Sequence, residues 1–103
     1  MVIMLNIEKN LNESKLTVSL SGRLDTTSAP NLESELQTAI DGVETLVLDM
    51  SELVYISSAG LRVILSAQKV MNKQGEMIVR GVNSDVMEIF EVTGFVDILN
   101  IQE

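Results

Sequence analysis

The chain has 103 residues, 46% of them hydrophobic and 21% charged, with one proline and neither cysteine nor histidine. This describes one domain spanning 1–103 without a disulfide staple, and it puts the common zinc sites, a Ser-His-Asp triad and a Cys-His pair out of reach. Fifteen acidic against seven basic residues leave a formal charge of −8, a field that repels phosphate backbones and anionic membranes, so neither nucleic-acid binding nor membrane insertion is expected.

The opening Met1-Val2-Ile3-Met4-Leu5 runs at once into Asn6 and Glu8 with no basic segment before it. It reads as neither a signal peptide nor a membrane span, which makes a cytoplasmic location the default. Residues Val2 to Ile7 suit a first strand, and the polar stretch Lys9 to Ser14 suits the turn of a hairpin. From Lys15 to Ser21 the alternation is regular: Leu16, Val18 and Leu20 share one face, and Lys15, Thr17, Ser19 and Ser21 share the other. That is the pattern of a strand with one wet face.

Gly22 breaks this pattern, Thr26-Thr27-Ser28 offers capping hydroxyls, and Pro30 fits a first helical turn. The helix that follows carries Leu32, Leu36, Ala39 and Ile40 inward, with Gly42 in the left-handed position after its last turn. Thr45-Leu46-Val47-Leu48 is then an apolar run without alternation, predicting a central strand buried on both faces. Asp49 to Ser58 is expected to be a loop, followed by a helix over 58–73 that Gly75 stops. Met77-Ile78-Val79 predicts a short buried strand. Asn83 or Ser84 caps a last helix with Val86, Met87, Phe90 and Val92 or Thr93 inward and Gly94 as its stop, and the apolar tail from Phe95 to Ile101 docks without an assigned structure. The order predicts strand–helix–strand units around a mainly parallel core with an antiparallel edge.

The segment from Asp49 to Arg62 joins the carboxyl end of the central strand to a helix start, the usual place for a ligand crevice in an open α/β sheet. Its serines admit two readings. Ser57 or Ser58 can cap an orphan backbone N–H while Ala59-Gly60 brings the helix close to the sheet. Alternatively, one hydroxyl is a modification site, since a phosphate there meets free N–H groups and the positive end of the helix dipole while adding about −1.5 to −2 charges.

The helix behind this loop is apolar over an arc of about 240°, because Ala59, Val63, Ala67 and Val70 extend the sector of Leu61, Ile64, Leu65 and Met71. Neighbouring elements or a partner must cover the excess. Asp25 either caps the entry to the first helix or faces the serine loop. Asp49 with Glu52 reads as a solvated pair, since nothing in the sequence supplies acid–base work with a nucleophile or a binding cleft. The methionines sit within apolar runs and read as core.

Four segments, in this order and spacing, carry a resemblance over almost the whole chain: Gly22-Arg23-Leu24-Asp25, Leu46-Val47-Leu48-Asp49-Met50-Ser51, Tyr55-Ile56-Ser57-Ser58-Ala59-Gly60-Leu61-Arg62, and Phe90-Glu91-Val92-Thr93-Gly94-Phe95. The sequence resembles the STAS domain family, specifically its single-domain bacterial anti-sigma factor antagonists. The resemblance implies the α/β STAS fold: a mixed sheet of four to five strands with an antiparallel edge and helices packed against it. It also implies a non-enzymatic protein in a partner-switching circuit, with no catalytic residue, metal or cofactor expected. There the unphosphorylated antagonist binds an anti-sigma factor with a histidine-kinase-like ATP-binding serine kinase fold and so frees a sigma factor. The same kinase phosphorylates the antagonist and is released, and a metal-dependent serine phosphatase reverses the modification.

By position in the family motif the accepting serine is Ser58, with Ser57 the second choice. The sporulation and general-stress antagonists usually carry Asp immediately before the accepting serine, where this chain has Ser57. Asp25 and Gly60 match positions that support the phosphosite, and Ser57, Ala59, Leu61 and Arg62 match the partner-binding surface. Two other functions fit parts of the pattern. One is a constitutive STAS subunit of a transporter or signalling complex, in which the serine is only a cap. The other is a small nucleotide-binding enzyme using the helix start as an anion site, against which stands the absence of a Walker-type glycine-rich loop.

Overall fold

The structure, a computed structural model, describes residues 5–102. Strands β1 (Asn6–Asn12) and β2 (Lys15–Leu24) are followed by helix α1 (Ala29–Ala39), strand β3 (Thr45–Ile56) and helix α2 (Ser58–Gln74). Strand β4 (Glu76–Arg80), helix α3 (Ser84–Thr93), a 3-10 turn over Phe95–Asp97 and strand β5 (Asn100–Gln102) complete the chain. The strands form one sheet in the order β1-β2-β3-β4-β5, with β1 antiparallel to β2 and every other pair parallel. The mixed sheet, its antiparallel edge and the element order therefore follow the expectation, and the tail, left without a structure, supplies the fifth strand.

Registered rows explain the core. Leu16, Leu46 and Met77 stand side by side across three strands, as do Val18, Leu48, Val79 and Ile101 across four. These rows join Leu32 and Leu36 of α1, Leu61, Ile64 and Met71 of α2, and Val86 and Phe90 of α3 in a single apolar cluster. The wet face predicted for β2 is present: Thr17 and Ser19 are only half-buried, in the row that holds Val47 and Ile78 and its neighbour. Val47 is 2% exposed yet lies outside the cluster. The apolar run of β3 is thus buried by helices on one face and shielded on the other by flanking strands, not packed under helices on both.

Several boundaries differ from the sequence reading, each for a physical reason. The first strand runs to Asn12 and turns at Glu13, whose φ is 58°, because a hairpin edge needs backbone pairing and not an apolar face. Residues 2–4 of the expected strand lie outside the described residues. Gly22, at φ 96°, does not end β2 but sits beside a register shift within it. The expected loop from Asp49 is largely strand, since β3 continues to Ile56 alongside β2. Pairing passes from Ser19↔Asp49 to Ser21↔Glu52, then from Gly22↔Leu53 to Arg23↔Tyr55, so β3 holds one extra residue at each of two bulges. Bulges destroy the two-residue alternation and leave Met50, Leu53 and Ile56 buried at intervals of three.

The last helix is capped by Asn83, whose Oδ1 accepts the Val86 N–H at 2.9 Å while its Nδ2 donates to the Leu53 carbonyl at 2.7 Å. Gly94 closes it in the left-handed conformation at φ 80°. Thr93 is exposed and Val92 is 81% exposed, so neither faces inward; Val86 and Phe90, four residues apart, already occupy the inner stripe.

Candidate functional site

Register brings the two halves of the site together. Leu24 pairs with Ile56 at the carboxyl ends of β2 and β3, so Asp25 and Ser57 leave the sheet as neighbours although 32 residues separate them in sequence. The Ser57 N–H donates to the Leu24 carbonyl at 2.8 Å, which ties this exit to the start of α2.

Ser57 is the helix cap. Its backbone is extended at φ −98° and ψ 174°, its Oγ accepts the Gly60 N–H at 3.3 Å, and its carbonyl accepts the Leu61 N–H at 2.9 Å. The capping role therefore falls to one serine and leaves the other over: Ser58 stands exposed at the first helical position. No acidic residue lies in the first turn of α2 and Lys73 lies in its last. The positive end of the helix dipole is accordingly not offset by a carboxylate of the helix's own first turn.

Gly60 lets the helix sit this low on the sheet. A Cβ there would come within 2.6 Å of Leu24 Cγ and 3.0 Å of Ile56 Cγ1. Ala59 is half-buried and Arg62 exposed, whereas Leu61 is 7% exposed and belongs to the core. Leu61 is thus corrected from a partner-contact residue to a packing residue: its position on α2 turns it toward the sheet.

Asp25 secures the entry to α1 by a route the sequence did not specify. Its Oδ1 accepts the Thr27 N–H at 3.0 Å, the Thr27 hydroxyl at 2.8 Å and the Ser28 N–H at 3.1 Å. The expected hydroxyl cap is absent from Ser28, whose Oγ instead donates to the Arg23 carbonyl at 2.8 Å and accepts the Asp25 N–H at 2.9 Å. The Thr27 hydroxyl first, then the backbone N–H groups, hold the Asp25 carboxyl below the ordinary value of 3.8. Asp25 lies beside the serine segment by register, but its hydrogen bonds serve its own turn.

Three residues to which the sequence reading assigned no role complete the surface. The Arg23 guanidinium lies over the Tyr55 ring, 4.2 Å from its centroid, and Arg23 Nε approaches Asp25 Oδ2 at 3.7 Å. Tyr55 is 36% exposed and Val54, the unpaired residue of the second bulge, is 55% exposed. The signal for them was the apolar Leu53-Val54-Tyr55-Ile56, four consecutive residues that a two-residue alternation cannot all bury. The apolar arc of α2 is mostly covered by α1, with Val63 and Ala67 buried and Val70 exposed at the rim. Two shallow clefts stay open along these helices: one of about 140 Å³ lined among others by Leu36 of α1 and by Val63, Ala67 and Val70 of α2, and one of about 180 Å³ at the helix starts, lined among others by Pro30 and Glu33 of α1 and by Ala59 and Arg62 of α2.

Among the described residues no helix is long and apolar enough to cross a membrane. The STAS domain model matches residues 6–103. The chain is 38% identical over 91 residues to BtrV of Bordetella bronchiseptica, a protein assigned as an anti-sigma factor antagonist, covering 86% of this chain and 78% of that one. It is 29% identical over 101 residues to the anti-sigma-B factor antagonist of Staphylococcus aureus, covering 96% and 94% of the two chains. In fold it is similar to the Bacillus cell fate determinant SpoIIAA in its phosphorylated form, with a TM-score of 0.73 and 18% identity over 96% of this chain and 91% of that one. By the extent of the family match, and by a sheet order and helix placement that the residues themselves explain, the chain belongs to the STAS domain family.

Proposed function

We propose that this protein is an anti-sigma factor antagonist that works by partner switching, a regulatory binding protein and not an enzyme. Its unphosphorylated form binds an anti-sigma factor with a histidine-kinase-like serine kinase fold and thereby frees a sigma factor. Phosphorylation of Ser58 ends the complex, and a metal-dependent serine phosphatase restores it. The kinship to named antagonists supports the regulatory role.

The observation that carries the choice of residue is the division of labour at the start of α2. Ser57 is occupied as the cap, and Ser58 is exposed where a kinase can reach it without unfolding the helix. A phosphate at Ser58 adds about −1.5 to −2 charges beside the exposed Val54 and Tyr55 and the half-buried Ala59, a surface which a partner must desolvate to bind.

Two measurements test the reading together. Fragmentation mass spectrometry of the protein from its native cells is expected to place a phosphoryl group on Ser58. Calorimetric titration with the purified anti-sigma factor is expected to show Ser58→Ala binding like the unmodified chain and Ser58→Asp binding more than tenfold weaker, about 1.4 kcal/mol. Equal affinity of the two variants, with Ser58 unmodified across growth and stress conditions, overturns the switch and favours a constitutive STAS subunit.

A further inference from the structure

We propose that the Arg62 guanidinium forms an ion pair with the phosphate carried by Ser58 within the same molecule, so that modification withdraws a cation from the partner surface as well as adding an anion to it. The inference concerns the regulation of the site just described and rests on Ser58 being its phosphorylated residue.

Ser58 and Arg62 stand four residues apart on α2, and both are exposed. Residues at this spacing share a helix face with their Cβ atoms about 5–6 Å apart. Helical side chains slope toward the amino-terminal end, so the longer side chain, placed second, leans back over the first. Arg62 therefore reaches toward Ser58, and its planar guanidinium matches two phosphate oxygens at once, which a lysine cannot do.

The other charged groups nearby are already committed or lie on other elements. Arg23, at the end of β2, is stacked on Tyr55 and turned to Asp25. The Asp25 carboxylate is held by Thr27 and Ser28. Glu33 of α1 lines the same cleft as Arg62 but makes no ion pair with it, and among the described residues Arg62 has no carboxylate partner. The first turn of α2 holds no acidic residue that would compete for the guanidinium. No covalent step beyond the kinase's own is involved; only the Arg62 side chain moves, from solvent to the phosphate.

The pairing explains why a carboxylate is an incomplete substitute. Aspartate at position 58 has a shorter reach and a single charge, and it leaves Arg62 largely available. Phosphorylation is therefore expected to weaken partner binding several-fold more than Ser58→Asp does.

The test uses the full chain with phosphoserine placed at position 58 by codon reassignment, in the wild-type and Arg62→Gln backgrounds, with the phosphorus resonance followed against pH at low salt. The second ionisation of the phosphate is expected to occur about half a pH unit lower in the wild-type background than in the Arg62→Gln background, and the gap is expected to close in molar salt. Arg62 is exposed, so both chains are expected to melt alike, and circular dichroism checks this. Identical midpoints in the two backgrounds overturn the pairing. Because this titration involves no partner, its failure is separate from failure of the switch, which would show as undiminished anti-sigma factor binding by the phosphorylated wild-type chain.

Discussion

The Ser57 Oγ accepts the Gly60 N–H at 3.3 Å, so the two serines at the start of α2 are not equivalent. One holds the helix, and the other is left exposed beside it.

Replacing each serine by alanine separates these roles. Ser57→Ala removes the cap and is expected to cost about 1 kcal/mol, lowering Tm by about 4–8 °C in a domain of this size. Ser58→Ala is expected to leave Tm within about 2 °C of the parent, because surface positions outside structural features change stability little. A thermal melt followed at 222 nm reads both, and a larger loss for Ser58→Ala than for Ser57→Ala would contradict the assignment of the cap.

Two glycines report on close approach. In Gly60→Ala the new methyl would come within 2.6 Å of the buried Leu24 Cγ, so the Leu24 and Ile56 side chains must be displaced, for an expected loss of about 1–3 kcal/mol. In Gly75→Ala it would stand 1.8 Å from the Glu44 carbonyl oxygen, an atom that accepts the Glu76 N–H at 2.9 Å. Backbone cannot yield as a side chain does, so Gly75→Ala is expected to be the more damaging. Urea unfolding midpoints order the two variants, and the reverse order would refute the packing argument.

Acid sensitivity follows from two carboxylates. Asp25 and Asp49 both lie below 3.8 in the folded protein, Asp25 chiefly through the Thr27 hydroxyl and Asp49 chiefly through the Ser51 N–H. A depressed carboxylate pKa favours the folded state above the unfolded value, and that contribution fades as pH falls from about 3.8 through the folded value. Carboxyl chemical shifts are expected to titrate below 3.8 at both positions. Asp25→Asn is expected to flatten the loss of stability over that window, and midpoints at or above 3.8 would exclude the predicted linkage.

The inner and outer sides of α3 are expected to respond oppositely. Phe90 is fully buried and stacks on Phe95 at 6.4 Å between ring centroids, so Phe90→Ala is expected to cost about 3–5 kcal/mol through lost transfer energy and an unfilled cavity. Val92→Ala is expected to change stability by less than about 0.5 kcal/mol. Equal losses on chemical denaturation would contradict the orientation of the helix.

Much of the fold could be read directly where local rules act alone. The alternation of Leu16, Val18 and Leu20, the stop at Gly94 and the strand at Met77 to Val79 depend on neighbours within a few residues, and each stands as expected, while of the two cap candidates Ser84 and Asn83 it is Asn83 that caps. The start of α2, where the candidate site is placed, was legible for the same reason, since a serine pair before an apolar helix marks a helix start. Where the reading erred, distant backbone decided. Asp49 to Ile56 looks like a loop because two bulges break its alternation, and only pairing with β2 reveals a strand.

By itself the sequence determined composition, charge, element order and the place where α2 begins, because these depend on residue chemistry and short-range periodicity. Tertiary structure alone decided that Ser57 rather than Ser58 is the cap, that Leu61 faces the core and that Asp25 emerges beside Ser57. It also decided that Arg23 stacks on Tyr55. The emergence of Asp25 beside Ser57 and the stacking of Arg23 on Tyr55 depend on register between strands distant in sequence, which the parallel pairing of β2 and β3 sets.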